Sequence, residues 1–116
     1  MGLDCYIQYD IPEEAASGTK TVKIWYGRKT NAIHGWFQRK SGIEASDFNC
    51  EKLPITEEML HEFEVDLAAD AVTPTSGFFF GSPEDKEEIQ EDGREIIEAV
   101  REALLDGKKP YYFSWW

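Results

Sequence analysis

The chain opens on a strict alternation: Leu3, Cys5, Ile7 and Tyr9 fall on one parity, Asp4, Tyr6, Gln8 and Asp10 on the other. A period of two puts one face of a strand on a core and the other in water, so a half-buried strand is predicted. Residues 12–20 mix Pro, Glu, Ala, Ser and Gly without a period, as an exposed connection does. Val22, Ile24 and Tyr26 then resume the alternation, which predicts a β-hairpin with a long loop.

From Lys29 the period becomes helical. Ile33, Trp36 and Phe37 recur at i, i+3 and i+4, with Thr30 or Asn31 available as N-cap and Gly42 as a stop. A short strand is expected within 48–53, followed by a helix capped by Thr56, with Ile55 and Leu60 as a hydrophobic staple and Met59, Leu60, Phe63 and Leu67 as its buried stripe. A Gly-bracketed strand through Phe78, Phe79 and Phe80 leads to the clearest helix start, Ser82-Pro83-Glu84-Asp85, with Ser82 as N-cap and Pro83 at the first helical position. The apolar face of that helix runs through Ile89, Ile96, Ile97, Val100 and Leu104 to Gly107, and Gly93 is expected to weaken it slightly. Tyr111, Phe113 and Trp115 alternate with Tyr112, Ser114 and Trp116 in a last strand. The order predicts an α+β fold, a small, mainly antiparallel sheet packed against three helices, in a single domain spanning 1–116.

Composition changes this picture in two ways. With 116 residues, 41% hydrophobic and 14% aromatic, the chain has the apolar area to fold without staples. Its net charge of −11 argues against direct nucleic-acid contact or an anionic membrane as a partner, since both would be repelled. The excess is uneven: residues 59–116 carry 14 acids against 5 bases, residues 1–58 only 9 against 7. Cys5 and Cys50 fit no metal or redox spacing and read as two reduced, buried thiols. Without a signal-peptide start or a run of about 18 apolar residues, a cytoplasmic location is expected.

Candidate chemistry collects in three places. A local excess of positive charge, at Arg28 and Lys29, lies where a strand becomes a helix, and free N–H groups at a helix start favour anions. With Asn31, His34 and Trp36 it makes a candidate site for a small anion or nucleotide. The stretch from Thr73 to Ser82 resembles a phosphate cradle in outline, with Ser76 and Phe79 as candidate ligand contacts, but it lacks the Lys of a P-loop, and Glu84, Asp85, Glu87 and Glu88 would repel an anion. The last helix start holds eight acids between Glu84 and Glu98; its Glu84, Glu87, Glu88, Glu91 and Glu95 form a candidate surface that imitates a phosphate backbone for a protein with a basic groove. His34 and His61 lack the partner spacing of a metal site, no nucleophile motif points to catalysis, and no cofactor is called for.

Four blocks, Met1-Gly2-Leu3-Asp4-x-Tyr6, Arg28-Lys29-x-Asn31-x-Ile33-His34-x-Trp36-Phe37, Ser76-Gly77-Phe78-Phe79-Phe80-Gly81-Ser82 and the aromatic close, together resemble a family of small phage and prophage proteins of unassigned function. The resemblance implies a phage accessory product made in a bacterial host cell. The leading expectation is therefore a non-enzymatic protein that engages or inhibits a host protein through its acidic surface. A small-ligand or nucleotide site at Arg28, Lys29, Asn31 and His34, and an assembly role for the aromatic C-terminus, are the alternatives, with the oligomeric state open.

Overall fold

Seven elements follow one another in the computed structural model, which describes residues 3–12, 18–28, 30–44, 47–73 and 85–116. They are β1 (Asp4–Pro12), β2 (Thr19–Arg28), α1 (Asn31–Ser41), β3 (Leu53–Pro54), α2 (Glu57–Ala68), α3 (Lys86–Leu105) and β4 (Tyr111–Trp115). The strands form one sheet in the order β2-β1-β4-β3 with every neighbour antiparallel. An α+β fold of one antiparallel sheet and three helices is thus what the chain adopts. The Phe78–Phe80 run and the Ser82-Pro83-Glu84 start lie outside the described residues.

The hairpin pairs as far as Pro12↔Thr19, so the strands run further into the connection than its composition suggests. Between the Ile7↔Trp25 and Gln8↔Lys23 pairs the register shifts, leaving Ile24 as the extra residue of a β-bulge. One inserted residue exchanges the faces beyond it. Trp25 and Gly27 consequently join Leu3, Cys5 and Ile7 on the buried side, whereas Tyr26, expected on the same parity as Val22 and Ile24, points outward at 47% exposure. β4 resolves its own alternation the same way: Tyr112 and Ser114 face the core at 0% exposure, and Phe113 and Trp115 face outward.

The helices cover the inner face only. Phe63 of α2, Phe37 of α1, Tyr112 of β4 and Phe48 stack in a column, with centroid separations of 5.7, 4.3 and 5.9 Å and near-parallel planes. Trp36 closes edge-on against Phe37 and Phe63 and donates from Nε1 to Asp66 at 2.8 Å, while Lys40 pairs with Glu62 across the same α1–α2 seam. Phe48 is buried in a turn, since the strand expected within 48–53 is reduced to Leu53–Pro54. Neither cysteine is in a disulfide, and only Cys5 is buried; Cys50 is exposed on a turn with φ 64°, which corrects the expectation of two buried thiols.

Caps follow local chemistry. Thr56 Oγ1 accepts from Met59 N at 3.2 Å, and α2 buries Leu60, Phe63 and Leu67 as its stripe predicts. α3 starts later than Ser82 would have it: Asp85 is its N-cap and accepts from Glu88 N at 2.8 Å, a carboxylate placed where the helix dipole favours negative charge. Its far end closes on Gly107 at φ 74°, with Gly107 N donating to Leu104 O and Lys108 N to Ala103 O, the paired bonds of a Schellman stop.

Gly93 explains itself by contact. A Cβ there would lie 2.5 Å from Leu67 Cδ2, so the glycine lets α2 approach α3, and Gln90 reaches across to donate to Leu67 O at 2.7 Å. Gly93→Val should overpack this crossing and lower the unfolding free energy by about 1–3 kcal/mol. The check is a lower denaturant midpoint at unchanged slope.

Candidate functional site

Thr30, Asn31, His34 and Ser114 are the polar or charged residues buried among those described, and three of the four sit at the start of α1. The sequence places them there because Ile33, Trp36 and Phe37 also turn inward, sinking the helix start against the sheet. Thr30 is the N-cap, yet its side chain makes no capping bond. Gly27 brings a second polar edge alongside: a Cβ on it would stand 2.4 Å from Trp25 Cη2 and 2.8 Å from Thr30 Cγ2, so glycine is what lets the indole fold across the strand. Trp25 Nε1 and Thr30 Oγ1 are buried without hydrogen-bond partners among the described residues.

Tyr112 joins the helix to the sheet. Its hydroxyl donates to Cys5 Sγ at 3.0 Å, and its oxygen lies 2.8 Å from His34 Nδ1. The direction of the Tyr112–His34 bond follows the imidazole tautomer, and either tautomer pairs Nδ1 with the phenol oxygen. Burial pushes the His34 imidazolium down to about 4 and the Tyr112 phenol well up. Both are neutral at neutral pH, and Cys5, Tyr112 and His34 form a hydrogen-bonded bridge inside the core. Phe48 and Trp116 cover the imidazole at 5.4 and 5.1 Å between centroids.

The candidate anion residues are therefore distributed rather than gathered. Asn31 and His34 share the buried helix start, Arg28 is exposed at the end of β2 opposite Asp4, and Trp36 faces α2 with its Nε1 on Asp66. Lys29, Ser76, Phe79 and Glu84 lie outside the described residues. Cys5, Tyr112 and Ser114 were not expected in this region. The one available hint was Ser114, a lone hydroxyl between Phe113 and Trp115 at an inward-facing position.

Glu87, Glu88, Glu91 and Glu95 are all exposed on α3, and none takes part in an ion pair among the described residues. Alongside them a groove of about 570 Å³ runs between α2 and α3, lined by Ile97 and Leu105 among charged side chains. Leu105 is 83% exposed. Arg101 on its wall is held by Glu64. His61 is exposed on α2, and no group of three His, Cys, Asp or Glu side chains suited to a metal forms among the described residues. No helix among them is long and apolar enough to cross a membrane.

His34 makes stability pH-dependent with a definite sign. Between about pH 6.5 and 4 the unfolded chain binds a proton there that the folded chain refuses, so this contribution falls as pH falls through that window and is constant above it. The stability lost between about pH 7 and pH 4.5 should be smaller in His34→Gln by about 2 kcal/mol, measured by denaturant titration at each pH. Tyr112→Phe, which deletes the bridging hydroxyl, should cost about 1–3 kcal/mol at pH 7 by the same measurement.

No family model matches this chain, and neither a curated protein nor a solved structure matches it significantly.

Proposed function

We propose that this chain is a binding protein, a phage-type accessory product that engages a host protein through the acidic face of α3. The observation that carries the reading is the row Glu87, Glu88, Glu91 and Glu95, exposed and without ion pairs among the described residues. Carboxylates not neutralised within the fold keep their full field for a partner, steering a basic surface into encounter. Leu105 and Ile97, in the groove beside Glu98 and Glu102, offer apolar area next to that charge. A partner with a basic groove and an apolar contact at one end fits this chemistry. His34, buried and neutral, offers a small ligand no accessible proton-transfer group.

The quadruple reversal Glu87→Lys, Glu88→Lys, Glu91→Lys and Glu95→Lys should abolish capture of a partner from bacterial lysate. All four side chains are exposed, so far-UV circular dichroism should not change. For an isolated partner, the reversal should slow association at least about tenfold at low salt, with a much smaller effect at high salt. Capture that survives the reversal in a folded variant removes the acidic face from consideration.

A further inference from the structure

None of the described helices α1, α2 and α3 packs on the outward face of the sheet, and its composition differs from theirs. Across β2, β1 and β4 the register aligns Tyr26, Tyr6 and Phe113 in one row, and Arg28, Asp4 and Trp115 in the next. The three rings of the first row are 5.2 and 6.3 Å apart between centroids. Trp115, two residues beyond Phe113, is 56% exposed, and Tyr26 47%. Lys23 Nζ stands 4.7 Å from the Tyr6 centroid and 5.5 Å from that of Tyr26. Arg28 is exposed on the other flank of the row.

Charge on this face has the opposite sense to the helices. Among the described residues of β1, β2 and β4, the acids are Asp4 and Asp10, set against Lys23, Arg28 and the nearby Lys52, and both are engaged: Asp4 accepts from Tyr26 at 2.6 Å, and Asp10 from Thr21 at 2.7 Å and Tyr111 at 3.1 Å, with Lys52 beside it. α2, by contrast, carries five acids and no Lys or Arg, and α3 seven acids against three bases. The shortest dimension of the molecule is 23 Å. That exceeds a Debye length of about 8 Å at physiological salt more than twofold, so carboxylates on the far side are largely screened from an anion on the sheet.

We propose that this face binds single-stranded nucleic acid, its bases stacking on Tyr26, Tyr6, Phe113 and Trp115 and its phosphates meeting Lys23 and Arg28. Aromatic rings flanked by cations on an open antiparallel sheet supply both terms that such a strand requires, a π-surface indifferent to base identity and a local positive field. A plain apolar partner would have no use for cations interleaved with the rings. The acidic helices repel the same ligand from their own side of the molecule, which confines it to the sheet. This inference is independent of the α3 reading, and the two use different residues.

The test is titration of the full chain with labelled oligo(dT) and oligo(U) of roughly a dozen nucleotides, followed by anisotropy and by tryptophan quenching. Saturable binding of either polymer is expected, and comparison of the two reports any contribution of the ribose hydroxyl. Trp115→Ala should weaken binding about 5- to 150-fold, the span of one lost base stack. Arg28→Ala with Lys23→Ala should weaken it further and flatten its salt dependence. These side chains are exposed, so each variant should keep the wild-type thermal transition. The proposal is overturned by absence of binding to both polymers, by binding that folded Trp115→Ala retains in full, or by sedimentation showing that the face is occupied by a second copy which Trp115→Ala releases.

Discussion

Tyr112 is the side chain on which the packing converges. Its ring stands in the middle of the column that runs from Phe63 through Phe37 to Phe48, so one residue of the central strand pair touches α1 and the turn before β3. Its hydroxyl meets Cys5 of β1 and His34 of α1 in the same buried volume. Apolar area supplies the drive for collapse, but area alone does not choose an orientation for α1. A buried hydroxyl and imidazole must be paired, and the pairing holds when the first turn of α1 lies over the β1–β4 ladder. The neutral state of His34 follows from this position rather than from a catalytic neighbour, since burial is the cause of its lowered pKa.

The bulge at Ile24 is the second constraint, and it divides the aromatic residues between two sides of one sheet. Inward, Trp25 folds over Gly27 and closes the core beside Thr30. Outward, Tyr26 joins Tyr6 and Phe113 on the face opposite the described helices. Because the helices carry most of the acids, the same division separates charge: carboxylates on the helical side, rings and cations on the other. A net charge of −11 averages over these two surfaces and describes neither.

The candidate site shows where reading along the chain succeeds and where it stops. The acidic face of α3 was legible because helical periodicity alone places Glu87, Glu91 and Glu95 on one side, and exposed residues answer to nothing further. The group Arg28, Asn31, His34 and Trp36 was not legible in the same way. These residues are close in sequence, but a helix turns successive side chains by about 100°, so His34 and Trp36 face different neighbours. What His34 does is decided by Tyr112, 78 residues later. Cys5 carried no local sign of its hydroxyl partner either.

Sequence by itself determined the local elements: helix starts at Thr30 or Asn31 and at Thr56, the stops at Gly42 and Gly107, the alternation of the first and last strands, and the α+β class they imply. Each depends on φ/ψ preference, capping chemistry or the period of apolar residues, all of which act over a few positions. Tertiary structure alone decided which parity of β4 faces the core, why Gly93 and Gly27 lack side chains, where the bulge exchanges the faces of β2, and that His34 is held neutral inside. Those outcomes depend on contacts between residues far apart in the chain, where close packing and the cost of an unpaired buried polar group select one arrangement out of several that the local pattern allows equally.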